Sequence, residues 1–214
     1  PLITILDDFG FAESGVYRVD MVYVKQHPIA APALDIPPFE YVKRFYPHYR
    51  DDIGVTKFIV PIQPRYHRIL FPDFENPGGS LPAGHPRTHV GNAIKLAYLC
   101  HTLNNQIRPG DVILFYRSHD MKAITTIGIV EYFTSSTSAS EIACLVSRRT
   151  VYSQQDIEEM AERPTKVILF RLIEHLPNRV SYAWLQQSRV RGPIQTIRSI
   201  TNESFSRILR AAGR

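Results

Sequence analysis

Cysteine is scarce in this sequence. Only Cys100 and Cys144 occur among 214 residues, with no CxxC spacing, which excludes a disulfide-stapled scaffold and leaves two reduced thiols, as in a cytoplasmic protein, as the expectation. Long apolar runs are missing too. Nothing approaches the roughly 18 residues of a membrane-spanning helix, so no membrane partner is expected. Signatures of hydrolytic chemistry are absent in turn: there is no H-x-E followed by P-C-x-x-C and no G-x-S-x-G elbow, so neither a zinc deaminase nor a serine hydrolase of those types is encoded. Glu158 and Glu159 fall on an outward helix face or its edge, where solvation is their expected role. His85 and His89 stand four apart, a spacing that ligates zinc only on a helix, and Gly84 and Pro86 argue against one. No metal and no cofactor is expected. The opening PLITILDDFGF carries acids early and no basic leader, so it is not expected to be a secretory signal. A start at Pro1 leads us to expect a fragment or a processed chain.

What is present is ordinary in bulk and uneven in detail. A hydrophobic content of 44% and a charged content of 21% suit a globular chain able to bury a core. The formal charge is +5, and from Arg189 to Arg214 six arginines face one acid, Glu203. Such a face attracts polyanions through counterion release, or is simply a solvated surface.

The stretch around which the chain is organised is RPGDVILFYRSHDMKAITTIGIVE, Arg108 to Glu131. A Pro-Gly turn feeds a strand from Asp111 to Tyr116, apolar on both faces. After the polar link RSHDMKA a second strand runs from Ile124 to Val130. Tyr116, Arg117, Ser118 and His119 sit where the first strand leaves the sheet, so several hydrogen-bonding groups lie beside an apolar wall. That chemistry suits a flat, polar-edged ligand such as a nucleobase.

Around this hairpin the reading is coarser. Residues 1 to 25 predict a helix end, a turn at Phe9-Gly10-Phe11 and one strand, VYRVDMVYVK. HPIAAPALDIPP (27–38) is an extended spacer and the best domain boundary. FEYVKRFYPHYRDD opens with a short amphipathic helix ended by Pro47, with Phe39, Val42, Phe45 and Tyr46 on its apolar side. KFIVPI (57–62) is a strand that Pro61 places at an edge or an end. Pro64 opens one or two helical turns, and FENPGGSLPAGHPRTHVG is a surface loop. Asn92 to Leu103 reads as a helix, with Leu96, Leu99, Cys100 and Leu103 at i, i+3, i+4 and i+7. Short helices are predicted after the Ser/Thr-rich 134–140, from a capping box at Ser153, over Ser181–Ser188 with Trp184, and after an N-cap at Thr201. KVILFRLI (166–173) is a strand. Elements alternate without a doubly wound rhythm, which points to a small mixed barrel.

In order, PIQP (61–64), Gly91-Asn92, RPGDVILFYRS (108–118), IGIVE (127–131), KVILFRL (166–172) and IQTIRSITNESFSRIL (194–209) together resemble the EVE branch of the PUA-like superfamily, related to ASCH and YTH domains. The resemblance implies an α+β fold: a PUA-like mixed β-pseudobarrel ringed by short helices, spanning 57–212. It also implies a base pocket at the strand ends. Carried over by motif, that pocket comprises Gln63, Asn92, Tyr116, Arg117, Ser118, His119 and Gln195, with Arg189, Arg191 and Arg198 on phosphates. Residues 1–26, with their GF turn and following strand, resemble the closing elements of GNAT-type acetyltransferases. The acetyl-CoA loop of that family occurs nowhere, so a complete acetyltransferase is excluded. A small N-terminal appendage, a linker with a short helix (27–56) and the barrel domain are thus expected. The expected function is a non-catalytic nucleic-acid-binding module, reading a base that is modified or not, within a larger bacterial acetyltransferase or toxin–antitoxin-type protein. Alternatives are a regulatory or interaction domain for a fused or neighbouring acetyltransferase or toxin module, and a nucleic-acid-modifying enzyme.

Overall fold

The computed structural model describes residues 2–28, 35–75, 94–146, 149, 152–188, 190 and 192–214. Asn92, Arg189, Arg191, His85, His89 and most of the Gly/Pro-rich loop and the spacer lie outside them. The centre of the fold is a six-stranded sheet, whose strands are β3 (Lys57–Ile62), β4 (Lys95–Cys100), β5 (Val112–Arg117), β6 (Ala123–Ser136), β7 (Thr165–Ser181) and β8 (Arg198–Ile200). They lie in the order β4-β7-β6-β5-β3-β8. All neighbours pair antiparallel except β3 and β5, which run parallel from Lys57 opposite Val112 to Ile62 opposite Arg117.

Alternation along the strands explains why both faces read as apolar. Phe58, Val60, Ile62, Leu96, Tyr98, Ile113, Phe115, Val130, Ile168 and Phe170 form one buried cluster, the barrel interior. The intervening Ile59, Val112, Leu114, Tyr116, Ile127 and Ile129 form an outer layer. That layer is covered by α7 (Tyr182–Gln187), α8 (Asn202–Ala211) and Val42 of α2 (Pro38–Phe45). A third cluster, with Ala97, Leu99, Val167 and Leu169 on the sheet, lies under α5 (Ala139–Val146) and α6 (Gln154–Ala161). Strands sandwiched in this way carry near-continuous hydrophobic runs. The sheet does not close by backbone pairing between β3 and β4. A side chain spans that gap: the Tyr98 hydroxyl donates to the Pro61 carbonyl at 2.6 Å. The result is a mixed pseudobarrel ringed by short helices.

Several local devices match the sequence reading. Ser153 and Asp156 form a reciprocal capping box on α6, and Ser181 and Thr201 cap α7 and α8. Asp111 of the PGD turn accepts the backbone N–H groups of Arg108 (2.7 Å) and Thr56 (3.2 Å). Gly110 has φ +93°, and a Cβ there would lie 2.5 Å from Pro38 Cβ, so the turn admits only glycine. Pro61 lies beyond the stretch of β3 that pairs with β8, so its missing N–H leaves no rung unmade on that side.

Two readings are corrected. The helix expected over Asn92–Leu103 is the strand β4, since Leu96 and Tyr98 face the barrel interior while Ala97 and Leu99 face the outer helices. A strand apolar on both faces also satisfies helical spacing, which is how the two were confused. The single N-terminal strand is a hairpin, β1 (Phe11–Tyr17) with β2 (Asp20–Lys25), following α1 (Leu2–Asp8). Arg18 turns the chain at φ 58°. This unit is held to the barrel by Asp8, which accepts from Arg171 at 2.9 Å and contacts Lys95, while the Phe9 ring covers the Arg171 guanidinium at 5.2 Å. Among the described residues no helix is long and apolar enough to cross a membrane.

Candidate functional site

Because β3 and β5 are parallel, both chains leave the sheet at the same rim, β3 into Gln63 and β5 into Ser118. Ser118 is locked to that rim: its backbone N–H and its hydroxyl both donate to the Ile62 carbonyl, at 3.0 and 3.1 Å. Its one proton is therefore occupied, and the hydroxyl offers only lone pairs outward. Gln63 is the N-cap residue of α3 (Pro64–Leu70), yet its side chain makes no capping bond, so its amide is available. His119 follows Ser118 with φ 60°, the left-handed conformation that turns the chain across the rim.

These three, with Gln195, converge on one cavity of about 400 Å³, within the range of small-ligand sites. The far strand end contributes Tyr98, Cys100, His101 and Thr102, and residues 194–197 close the side with Ile194, Gln195, Thr196 and Ile197. Ile194 and Ile197 are buried and anchor this segment, whereas Gln195 and Thr196 are exposed between them. Among the described residues the lining holds no lysine, arginine or carboxylate, only amides, hydroxyls, a thiol and imidazoles over an apolar floor. Burial pushes the Cys100 thiol up to about 11, so it is protonated at neutral pH and a poor nucleophile. Burial likewise raises the Tyr98 phenol.

Two predicted pocket residues are elsewhere. Tyr116 is 5% exposed and packs in the outer layer with Ile124, Leu176, Val180 and Leu185. Position parity decides this, since Ile113 and Phe115 point inward and Tyr116 must point out. Arg117 is 3% exposed and is gripped by Asp120, Nε to Oδ1 at 3.0 Å and Nη2 to Oδ2 at 2.6 Å, and by Glu75. Its hydrogen bonds hold the Asp120 carboxyl below the usual range. Arg68 reaches Asp120 as well, at 3.0 Å. The cluster fastens the turn that presents Ser118 and His119, so Arg117 orients the rim and does not line it. Arg198 opens β8 half-buried beside Gly192 and does not line the cavity either.

Helical spacing in the sequence hides Tyr98, Cys100, His101 and Thr102, which lie on or just after the strand β4, and no pattern marks Ile194, Thr196 and Ile197. The first group was recoverable from the alternation in KLAYLC. The second lies in an irregular segment with no periodic signal. Among the described residues no three His, Cys, Asp or Glu side chains are grouped to hold a metal ion.

No family model and no curated protein matches the sequence. Solved structures do match the fold. The ASCH protein of Zymomonas mobilis superposes with a TM-score of 0.55 at 11% identity, covering 72% of this chain and 94% of that one. Two single-substitution variants of it give 0.55 at 10% identity (72% and 96% covered) and 0.53 at 13% (72% and 95%). Human THYN1, solved in complex with 5-methylcytosine-containing DNA, aligns over 74% of this chain and 98% of its own at 10% identity, with a TM-score of 0.42, too low to carry a shared fold. The chain thus has the ASCH, PUA-like fold.

Proposed function

We propose that this chain is a non-catalytic nucleic-acid-binding module whose rim cavity takes one unstacked base, modified or not, from RNA or DNA. The observation that carries the reading is the convergence of Gln63, Ser118, His119 and Gln195 on one cavity of about 400 Å³. Two amides, a hydroxyl restricted to accepting and two imidazoles match the donor and acceptor edge of a base. The Ser118 acceptor selects a base that turns an N–H toward the rim. Among the described residues the cavity offers neither lysine, arginine nor carboxylate, so phosphates are left to the basic surface, which positions without specifying. Arg189, Arg191 and Arg198 are the proposed phosphate contacts, and Asn92 the further pocket residue. The same lining lacks a general acid–base pair of carboxylates, and its thiol is protonated, which favours a reader over an enzyme.

Fluorescence anisotropy with single-stranded oligonucleotides differing in one central base tests this. Gln63→Ala and Ser118→Ala are expected to weaken the preferred base by about tenfold each and to leave the others nearly unchanged. Equal weakening of every sequence, or no effect, removes the pocket assignment.

A second reading, an interaction module serving an acetyltransferase or toxin partner, is favoured by one observation. The hairpin β1–β2 exposes Val16, Tyr17, Val19, Met21 and Val24 although the unit is fastened to the barrel through Asp8. The pairing of Val16 with Met21 and of Ala12 with Val24 puts exposed apolar side chains on both faces of this ribbon, and apolar surface of this kind marks a protein contact. A partner whose binding survives Val16→Asp with Val24→Asp would remove this reading.

A further inference from the structure

A second cavity, of about 650 Å³, lies away from the rim between α4 (Pro72–Glu75) and a bend in β7. Its wall is a bulge. Ile124 pairs with Val180 and Thr126 with His175, so residues 176–179 loop out of the ladder. Bulges of this kind re-aim side chains and cluster beside functional sites. The cavity is lined by Asp73, Phe74, His175, Leu176, Asn178 and Arg179, with Pro177.

Behind His175 runs an internal hydrogen-bonded chain. His175 Nδ1 lies 2.9 Å from Thr126 Oγ1, which lies 3.2 Å from Thr125 Oγ1. Thr125 Oγ1 lies 2.8 Å from Nε2 of the fully buried His67, and 3.4 Å from the Phe115 carbonyl. The chain exists because Thr125 is itself an extra residue between Phe115–Thr126 and Tyr116–Ile124 in the β5–β6 ladder.

The direction of every bond in this chain is fixed by counting protons. A carbonyl only accepts, so the single Thr125 hydroxyl proton goes to Phe115. Thr125 must then accept from both other neighbours, which makes Thr126 a donor to Thr125 and places the His67 proton on Nε2. With its own proton used, Thr126 can only accept from His175, so the His175 proton sits on Nδ1. One atom checks the count independently: His67 Nδ1 is buried with no partner. The count leaves a bare lone pair there, whereas the reverse polarity would bury an unpaired N–H, the rarer and costlier orphan.

We propose that the cavity beside the β7 bulge is a second ligand site, specific for a hydrogen-bond-donating organic cation such as an ammonium group. His175, Asp73 and Phe74 all line the cavity: the proton count leaves His175 Nε2 as the bare acceptor, the Asp73 carboxylate supplies the charge, and the Phe74 ring, T-shaped against His175 at 5.6 Å between centroids, supplies an aromatic surface. Arg179 lies at the exposed end of the lining and disfavours a second cation there. This site is independent of the rim cavity and of the base-reading assignment.

Nitrogen-15 NMR of the whole chain with labelled histidine tests it without any substitution. The expected spectrum shows His175 and His67 as opposite neutral tautomers, protonated on Nδ1 and Nε2 respectively. A His175 protonated on Nε2 overturns the polarity and the proposal with it. Titration with methylammonium is expected to shift His175 saturably, about tenfold more weakly in Asp73→Asn, and unchanged in Gln63→Ala. Inorganic phosphate is expected to leave His175 unmoved. A shift with phosphate, or none with methylammonium, sinks the cation assignment.

Discussion

At the scale of single residues, the barrel separates the side chains proposed for recognition from those that carry stability. Tyr116 is the clearest case. It stands one position from the rim, but strand parity sends its ring into the outer layer, so its removal is a stability event. Tyr116→Ala is expected to lower unfolding free energy by about 3 kcal/mol, the cost of emptying a buried aromatic position, in urea melts. Oligonucleotide preference in the folded protein should persist. His67 supplies the second residue-scale prediction. Burial, reinforced by the charge of Arg117, lowers its pKa to about 3, from an ordinary 6.5. The folded state therefore resists a proton that the unfolded chain accepts. Stability is greatest above the unfolded pKa of 6.5 and falls as pH drops from there toward 3, with a slope of up to about 1.4 kcal/mol per pH unit from this group. Urea melts between pH 7 and 4 should show that slope, and His67→Gln should flatten it.

At the scale of elements, what was legible depended on whether an element announces itself by local chemistry. Caps did: Ser153 and Thr201 name their helices with a side-chain oxygen followed by an amphipathic run. The PGD turn did as well, through a carboxylate that satisfies two N–H groups and a glycine that nothing else can replace. Strand β4 did not, because its two apolar faces serve two different cores and mimic helical spacing. Gln63, Ser118, His119 and Gln195 were legible as rim residues since they follow strand ends or a closing motif. Tyr98 was not, because its part depends on spanning two strands far apart in sequence. That span has a consequence that is open to test. Tyr98→Phe deletes the donor to Pro61 and leaves a carbonyl unsatisfied beside the cavity floor, with an expected loss of about 1.5 kcal/mol in chemical unfolding. Hydrogen exchange should quicken in β4 more than in β6.

At the scale of the whole molecule, an N-terminal unit and a barrel are joined by one partly buried ion cluster. Burial pushes the Asp8 carboxyl up, but Lys95 and Arg171 outweigh it and hold the group below the usual carboxylate range. Asp8→Ala would leave the fully buried Arg171 with the backbone carbonyl of residue 8 at 2.9 Å and the Glu131 carboxylate at 3.8 Å, with an expected destabilisation of about 2 kcal/mol. Amide protection of residues 2–25 should fall before that of the sheet. The net charge of +5 acts at this scale too: the logarithm of the binding constant for any oligonucleotide is expected to fall linearly with the logarithm of salt concentration, while the proposed preference among bases stays level.

The parallel pairing of β3 with β5 delivers two chain exits to one place and keeps them outside the hydrophobic layers. The turn after Ser118 can consequently be exchanged like the tip of a tool. Grafts of different length across 119–121 would retune which chemical group is held, while the handle beneath keeps its melting temperature to the extent that the Arg117 clamp is rebuilt.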